Sequence, residues 1–205
     1  MDELVLNPEL VSFLRDCEKI HKLQIEIQSL IPEVRKNMGL SSSVEEGLKI
    51  LKLLEKKYII TNIMLGYPGE TDSNFAKQLK LMEEYGLYYV QVNVYDDTPC
   101  VPAHSLKQIP KELVAKRMRA FLETMKCIRT KFANKIIDES KKKPIECIYT
   151  IGGNFEMIGY SAMVKPNNGQ YANGEKVRFR ITRIQDLIDQ FDPSQSMVMK
   201  GSRIV

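Results

Sequence analysis

Tryptophan is absent from the 205 residues, histidine occurs twice and cysteine four times. Cys17, Cys100, Cys127 and Cys147 stand singly, so none has a neighbour at the short spacing of a zinc or iron–sulfur ligand set. They read as reduced thiols, and no metal site is expected within the chain. His21 and His104 are far apart with no carboxylate pattern around them, which makes them surface or structural residues. No run of about 18 apolar residues exists. Asp2 and Glu3 stand where a signal peptide would carry basic residues before an apolar stretch. No membrane partner is expected, and the expected compartment is the cytoplasm.

What is present is enough apolar material, 43%, to bury a core in one domain or two small ones. The net charge of +4 is mild but uneven: between Lys107 and Lys143, twelve Lys or Arg face four acids.

Asn7-Pro8 offers a cap and a first-turn proline for a short helix to Asp16. Leu23, Ile25 and Ile27 alternate with polar residues, which predicts a strand, and residues 29–38, led by Pro32, predict a helix. Ser43 and Glu46 form a capping box for a helix reaching Lys57. The nearly all-apolar run Tyr58–Leu65 predicts a strand covered on both faces. It ends at Gly66-Tyr67-Pro68-Gly69-Glu70-Thr71. A helix marked by Phe75, Leu79, Met82 and Tyr85 follows, then a strand over 88–95. This alternation implies parallel pairing. Three prolines make 96–110 a linker. From Pro110 a long amphipathic basic helix follows, with Lys111, Lys116, Arg117, Arg119, Lys126 and Lys131 mostly on its surface. Past Lys143-Pro144 the pattern becomes short strands, 145–151, 156–164 and 176–184, separated by Gly-Asn turns, which predicts a small all-β barrel. The last twenty or so residues lack a pattern and read as a loose tail.

Small residues and a proline at the C-terminal end of a parallel strand suit a ligand site. Taken alone, a Gly-Pro-Gly turn only reverses the chain and Gln28-Ser29 only ends a strand. Together, however, residues 60–71 closely resemble the strand and loop Thr-Asp-Ile-Ile-Val-Gly-Phe-Pro-Gly-Glu-Thr of the MiaB-like tRNA methylthiotransferases of the radical-SAM superfamily. Leu23–Ser29, Val44–Leu54 and Gln108–Pro110 are similar to further stretches of that family in the same order. The all-β module resembles its TRAM domain, through Gly159-Tyr160 and Gly174–Thr182.

The resemblance implies an α/β fold, part of a radical-SAM (β/α) barrel over 1–106, followed by a basic linker helix over 107–131, a TRAM-like barrel over 132–184 and a tail over 185–205. It implies methylthiolation at C2 of a modified adenosine beside the anticodon, with S-adenosylmethionine and a [4Fe–4S] cluster as cofactors. Gln28 and Ser29 would lie near the ribose or methionine part of S-adenosylmethionine. Ile63, Gly66, Pro68 and Gly69 would line its adenine side, and Glu70 would fix the loop. The partner would be the tRNA anticodon stem-loop, met by Lys135, Lys141, Lys142, Lys143, Arg178 and Arg180; basic residues beside a small barrel suit a phosphate backbone, and without that neighbour they would read as a solvated face.

The chain departs from the family in several places. The Cys-x3-Cys-x2-Cys motif has no counterpart, so a [4Fe–4S] cluster has no seat in this chain and no catalytic residue is assigned. Only three barrel strands stand where the family builds about six, which leaves a parallel edge open to another chain. Leu30-Ile31 replace Gly and a small residue, a bulky pair expected to crowd the cofactor pocket. Met38-Gly39-Leu40 replace Met-Asn-Arg, Asn62 replaces Asp, and Tyr95–Val101 lack the family's Arg, Gly and Thr. The readings are a truncated or split methylthiotransferase whose other half is a separate chain, a non-catalytic tRNA-binding remnant, or a decaying paralogue that folds poorly.

Overall fold

A computed structural model describes residues 7–17, 19–20, 22–40, 43–54, 58–151, 153–158, 162–165, 170–186 and 197–204. Helix α1 (Pro8–Asp16) starts as the sequence predicts: Asn7 Oδ1 accepts the Leu10 N–H at 3.0 Å, and Pro8 takes the first turn, where its missing N–H costs nothing. Strand β1 (Lys22–Gln28) leads into the short α2 (Pro32–Asn37), and α3 (Val44–Leu53) precedes β2 (Tyr58–Leu65). No side-chain cap bond from Ser43 is formed, and residues 55–57, which the helix is expected to reach, lie outside the described residues. Helix α4 (Asp72–Glu84) does carry a capping box, between Thr71 and Asn74, followed by β3 (Val90–Val94).

The three strands form a parallel sheet in the order β1-β2-β3. Ile25, Ile27, Ile63, Leu65 and Val90 point to one face, where Leu48, Leu51, Phe75, Met82, Phe121, Met125 and Ile128 of the helices bury them. The register puts Gln24, Glu26, Asn62, Gln91 and Asn93 on the other face. Ile60 and Met64 of β2 share that face, so it is mixed, polar and apolar, while the apolar helix layer covers the other side. Among the described residues the outer edges of β1 and β3 pair with no further strand.

A 3-10 turn (Pro102–Ser105) precedes α5 (Lys111–Lys142), a 32-residue helix of about 48 Å at 1.5 Å per residue. Its apolar stripe, which the sequence spacing carries to Ile136, enters the second core through Ala133 and Ile136. Not all of its cations are on the surface: Arg117 and Arg129 are buried. Arg129 donates to the Tyr88 carbonyl at 2.8 Å, and the Tyr88 and Phe132 rings stack 3.6 Å apart. The helix thus touches both modules.

Strands β4 (Ile145–Tyr149), β5 (Phe155–Met157), β6 (Ala162–Val164), β7 (Lys176–Asp186) and β8 (Met197–Ile204) close a barrel in the order β4-β5-β6-β8-β7. Cys147, Phe155, Val164, Phe179, Ile181 and Met199 fill it, and closure leaves no sheet edge. The fold is therefore α/β followed by a small all-β barrel, as expected. The loose tail is corrected: β8 lies within it, pairs antiparallel with β7 and parallel with β6, and completes the barrel. Residues 187–196, like Gly159, Tyr160 and His21, lie outside the described residues. No helix among the described residues is long and apolar enough to cross a membrane.

Candidate functional site

Three strand ends meet at the C-terminal edge of the parallel sheet. At the end of β1, Gln28 takes a positive φ of 65°, unusual for a residue with a side chain. Asn62 makes that turn possible: its Oδ1 accepts the Ile27 and Gln28 N–H groups at 3.0 and 3.4 Å, while its Nδ2 donates to Glu26. An aspartate could accept the same two bonds but would face the Glu26 carboxylate with a like charge. Asn62 therefore suits this neighbour.

At the end of β2, Gly66 (φ 78°) and Gly69 (φ 89°) bracket a tight loop. An added Cβ on Gly66 would meet Val114 Cγ2 at 2.8 Å, so only glycine fits there. Glu70, 5% exposed, folds back under the loop: its Oε2 accepts the Gly66 N–H at 3.3 Å and the Arg117 guanidinium at 2.7 Å. Burial pushes the Glu70 carboxyl above its ordinary range, with Arg117 and the Gly66 N–H opposing that rise. Tyr67 donates to the Asn37 carbonyl at 2.9 Å and meets Tyr95 edge-on at 5.3 Å. Gln28 Oε1 and the Tyr95 hydroxyl are buried polar atoms without a hydrogen-bond partner. They stand at the ends of β1 and β3, either side of the loop.

The expected cofactor residues divide accordingly. Gln28, Gly66, Pro68, Gly69 and Glu70 gather at this edge. Ser29 is buried, its hydroxyl donating to Gln78 Oε1 at 3.1 Å, and Ile63 is fully buried on the helix side of β2. Leu30 and Ile31 do not crowd an open pocket: both are fully buried, Leu30 in the main core and Ile31 against Val34, Tyr67 and Ala103. On the outer side of the loop an open groove of about 750 Å³ runs between Asn37, Pro68, Gly69 and the linker residues Leu106–Pro110. His104 does have a carboxylate beside it: its Nδ1 lies 2.8 Å from Asp97 Oδ1, on the exposed linker.

Among the described residues no group of three or more His, Cys, Asp or Glu is placed to hold a metal. Cys147 is buried in the barrel, and desolvation pushes its thiol up to about 12. Cys100 and Cys127 are exposed and Cys17 is half-buried. The residues present do not fit a [4Fe–4S] cluster, which needs convergent thiolates.

The expected nucleic-acid residues lie on two surfaces. Lys135 and Lys141 are engaged with Glu139 (3.8 Å) and Asp138 (2.8 Å) on α5, while Lys142 and Lys143 are exposed at its end. Arg178 and Arg180 stand on the exposed side of β7, alternating with the buried Val177, Phe179 and Ile181. A further basic feature comes from three segments: Lys165, Arg183 and Lys200, with Thr182, Gln185, Gly201 and Ser202, line a groove of about 410 Å³ on the barrel. Arg183 and Lys200 are register partners across β7 and β8, and no acid is among the described residues that line the groove. Sequence alone could not bring these three cations together.

No family model matches the chain. Curated relatives do. It is 27% identical over 167 residues to the ribosomal protein uS12 methylthiotransferase RimO of Carboxydothermus hydrogenoformans, covering 78% of the chain and 38% of that protein. It is 28% identical over 183 residues to a probable threonylcarbamoyladenosine tRNA methylthiotransferase of Pyrococcus abyssi, covering 82% and 41%. It is 31% identical over 101 residues to the threonylcarbamoyladenosine tRNA methylthiotransferase of Homo sapiens, covering 47% and 17%. The chain thus spans about two fifths or less of the length of these relatives.

Proposed function

The chain belongs to the MiaB-, RimO- and MtaB-type methylthiotransferases, and from that premise we propose that it serves a tRNA methylthiotransferase acting at C2 of a modified adenosine beside the anticodon. In this reading the strand ends of the parallel sheet face S-adenosylmethionine and the barrel faces the anticodon stem-loop. The observation that carries the RNA half is the groove of Lys165, Arg183 and Lys200, three cations beside the Ser202 hydroxyl and the Gln185 amide with no acid among the described lining residues, which suits a phosphate backbone.

The fit to S-adenosylmethionine rests on the partnerless Gln28 Oε1 and Tyr95 hydroxyl, together with two glycines that let a ligand approach the backbone between them. When bound, the cofactor supplies the methyl group and the radical chemistry of the family. Gln28 and Tyr95 offer an acceptor and a hydroxyl, and Glu70 holds the Gly66 N–H. The thiolates of the cluster come from residues other than these 205, which also cover the open sheet edges.

The test is equilibrium binding of a labelled anticodon stem-loop with and without S-adenosylmethionine. Binding strengthened by the cofactor supports the working enzyme. Binding indifferent to it supports the second reading, a tRNA-binding remnant, which the loss of the family's Arg, Gly and Thr over Tyr95–Val101 favours. No RNA binding overturns the tRNA role and points to the protein substrate named for the uS12-modifying relative.

A further inference from the structure

Helix α5 begins by crossing the Gly66–Thr71 loop. Its Val114 side chain closes over Gly66, and one turn later Arg117, 3% exposed, reaches three separate points of the chain. Nη1 donates to Glu70 Oε2 at 2.7 Å, and Nη2 donates to the Glu70 carbonyl at 3.2 Å and to Asp72 Oδ1, the first residue of α4, at 2.7 Å. The guanidinium lies over the Phe75 ring at 5.6 Å. Since Glu70 Oε2 also accepts the Gly66 N–H, both ends of the loop are tied to one side chain from a helix more than forty residues further along the chain.

We propose that Arg117 is a positioning residue, whose guanidinium sets the backbone of the Gly66–Thr71 loop from helix α5. The inference rests on the reading of this loop as a wall of the S-adenosylmethionine site. The energetics argue against a purely stabilising role. A buried ion pair is weak evidence for stability, since desolvation of both charges offsets their attraction. Here the Glu70 carboxyl is raised despite its partner, so burial outweighs the pairing. Arg117 Nε is itself buried without a partner. What the pair does provide is geometry: a planar fork meets two carboxylates and a carbonyl in fixed directions, which an ammonium cannot reproduce.

The experiment compares the full chain with R117M, R117K and the double variant E70Q/R117M. Hydrogen exchange is followed in peptides covering 66–71, with barrel peptides as the internal reference, and S-adenosylhomocysteine binding is measured by calorimetry. In R117M the loop should exchange about tenfold faster with the barrel unchanged, and S-adenosylhomocysteine should bind about fivefold more weakly. R117K should recover part of both. Loop exchange within about twofold of the original chain, or a rise shared evenly with the barrel, overturns the proposal. So does a loosened loop with unaltered ligand binding. If R117M fails to fold, E70Q/R117M, which leaves no buried unpaired charge, decides by the same criteria. An original chain that does not bind S-adenosylhomocysteine removes the cofactor reading alone, and the exchange data still decide what Arg117 does to the loop.

Discussion

Replacing Gly66 with alanine creates two separable costs. The backbone there has φ 78°, which a residue with a Cβ adopts at a cost of about 1 kcal/mol. The new methyl would also sit 2.8 Å from Val114 Cγ2, inside contact distance, an overpacking cost of about 1–3 kcal/mol. G66A should therefore destabilise the chain by about 2–4 kcal/mol. Gly39 supplies the control: its φ is 74°, but nothing lies within 4 Å of the added Cβ, so G39A should cost only about 1 kcal/mol. The overpacking share should disappear in the V114A background, where the coupling between the two substitutions measures it directly. Urea unfolding followed by circular dichroism at a constant m-value reads all four variants, and the helical signal serves because the chain has no tryptophan. Equal costs for G66A and G39A, or a G66A cost that V114A leaves unchanged, would refute the close approach of α5 to the loop.

Two further outcomes follow from the burial of titratable groups. With a disulfide reagent at pH 8, Cys100 and Cys127 should react rapidly and Cys17 more slowly, while Cys147 should react only on unfolding, since its thiol is pushed up to about 12 and enclosed in the barrel; rapid titration of all four thiols in the folded chain would contradict the barrel packing. Glu70 is raised above its ordinary 4.5, so the folded state holds its proton more tightly than the unfolded state does. Its contribution is therefore full below pH 4.5 and is lost as pH rises through the folded value. The stability difference between the original chain and E70Q should shift against the original chain over that rise, and a shift in the opposite direction would mean that the Arg117 pairing outweighs burial.

Much of the α/β half was legible because its signals are local. Alternation in Leu23–Ile27, the apolar run Tyr58–Leu65 and the periodic Phe75–Tyr85 each report their own element. The loop was legible because positive φ at Gly66 and Gly69 demands glycine. Strand β8 was not: within Met197–Ile204 Met199 is buried and most of its neighbours are not, so its extended state comes from pairing with β7 and β6. Arg117 was read as a surface charge because its helix is basic throughout; the carboxylates that bury it lie more than forty residues away. The same holds for the barrel groove, whose cations come from separate strands. Ile63 illustrates the converse: it sits in the motif that most resembles the family, yet strand alternation turns it into the helix-covered core.

The central claim, that the barrel is the RNA-facing surface of a tRNA-modifying methylthiotransferase, is tested most directly by the salt dependence of anticodon stem-loop binding. Log Kd is measured against log salt for the original chain and for K165Q/R183Q/K200Q. If phosphates occupy the groove, affinity falls linearly with salt, and removing three cations lowers the slope by about 2–3. An unchanged slope in the triple variant, or binding that ignores salt altogether, would contradict the claim.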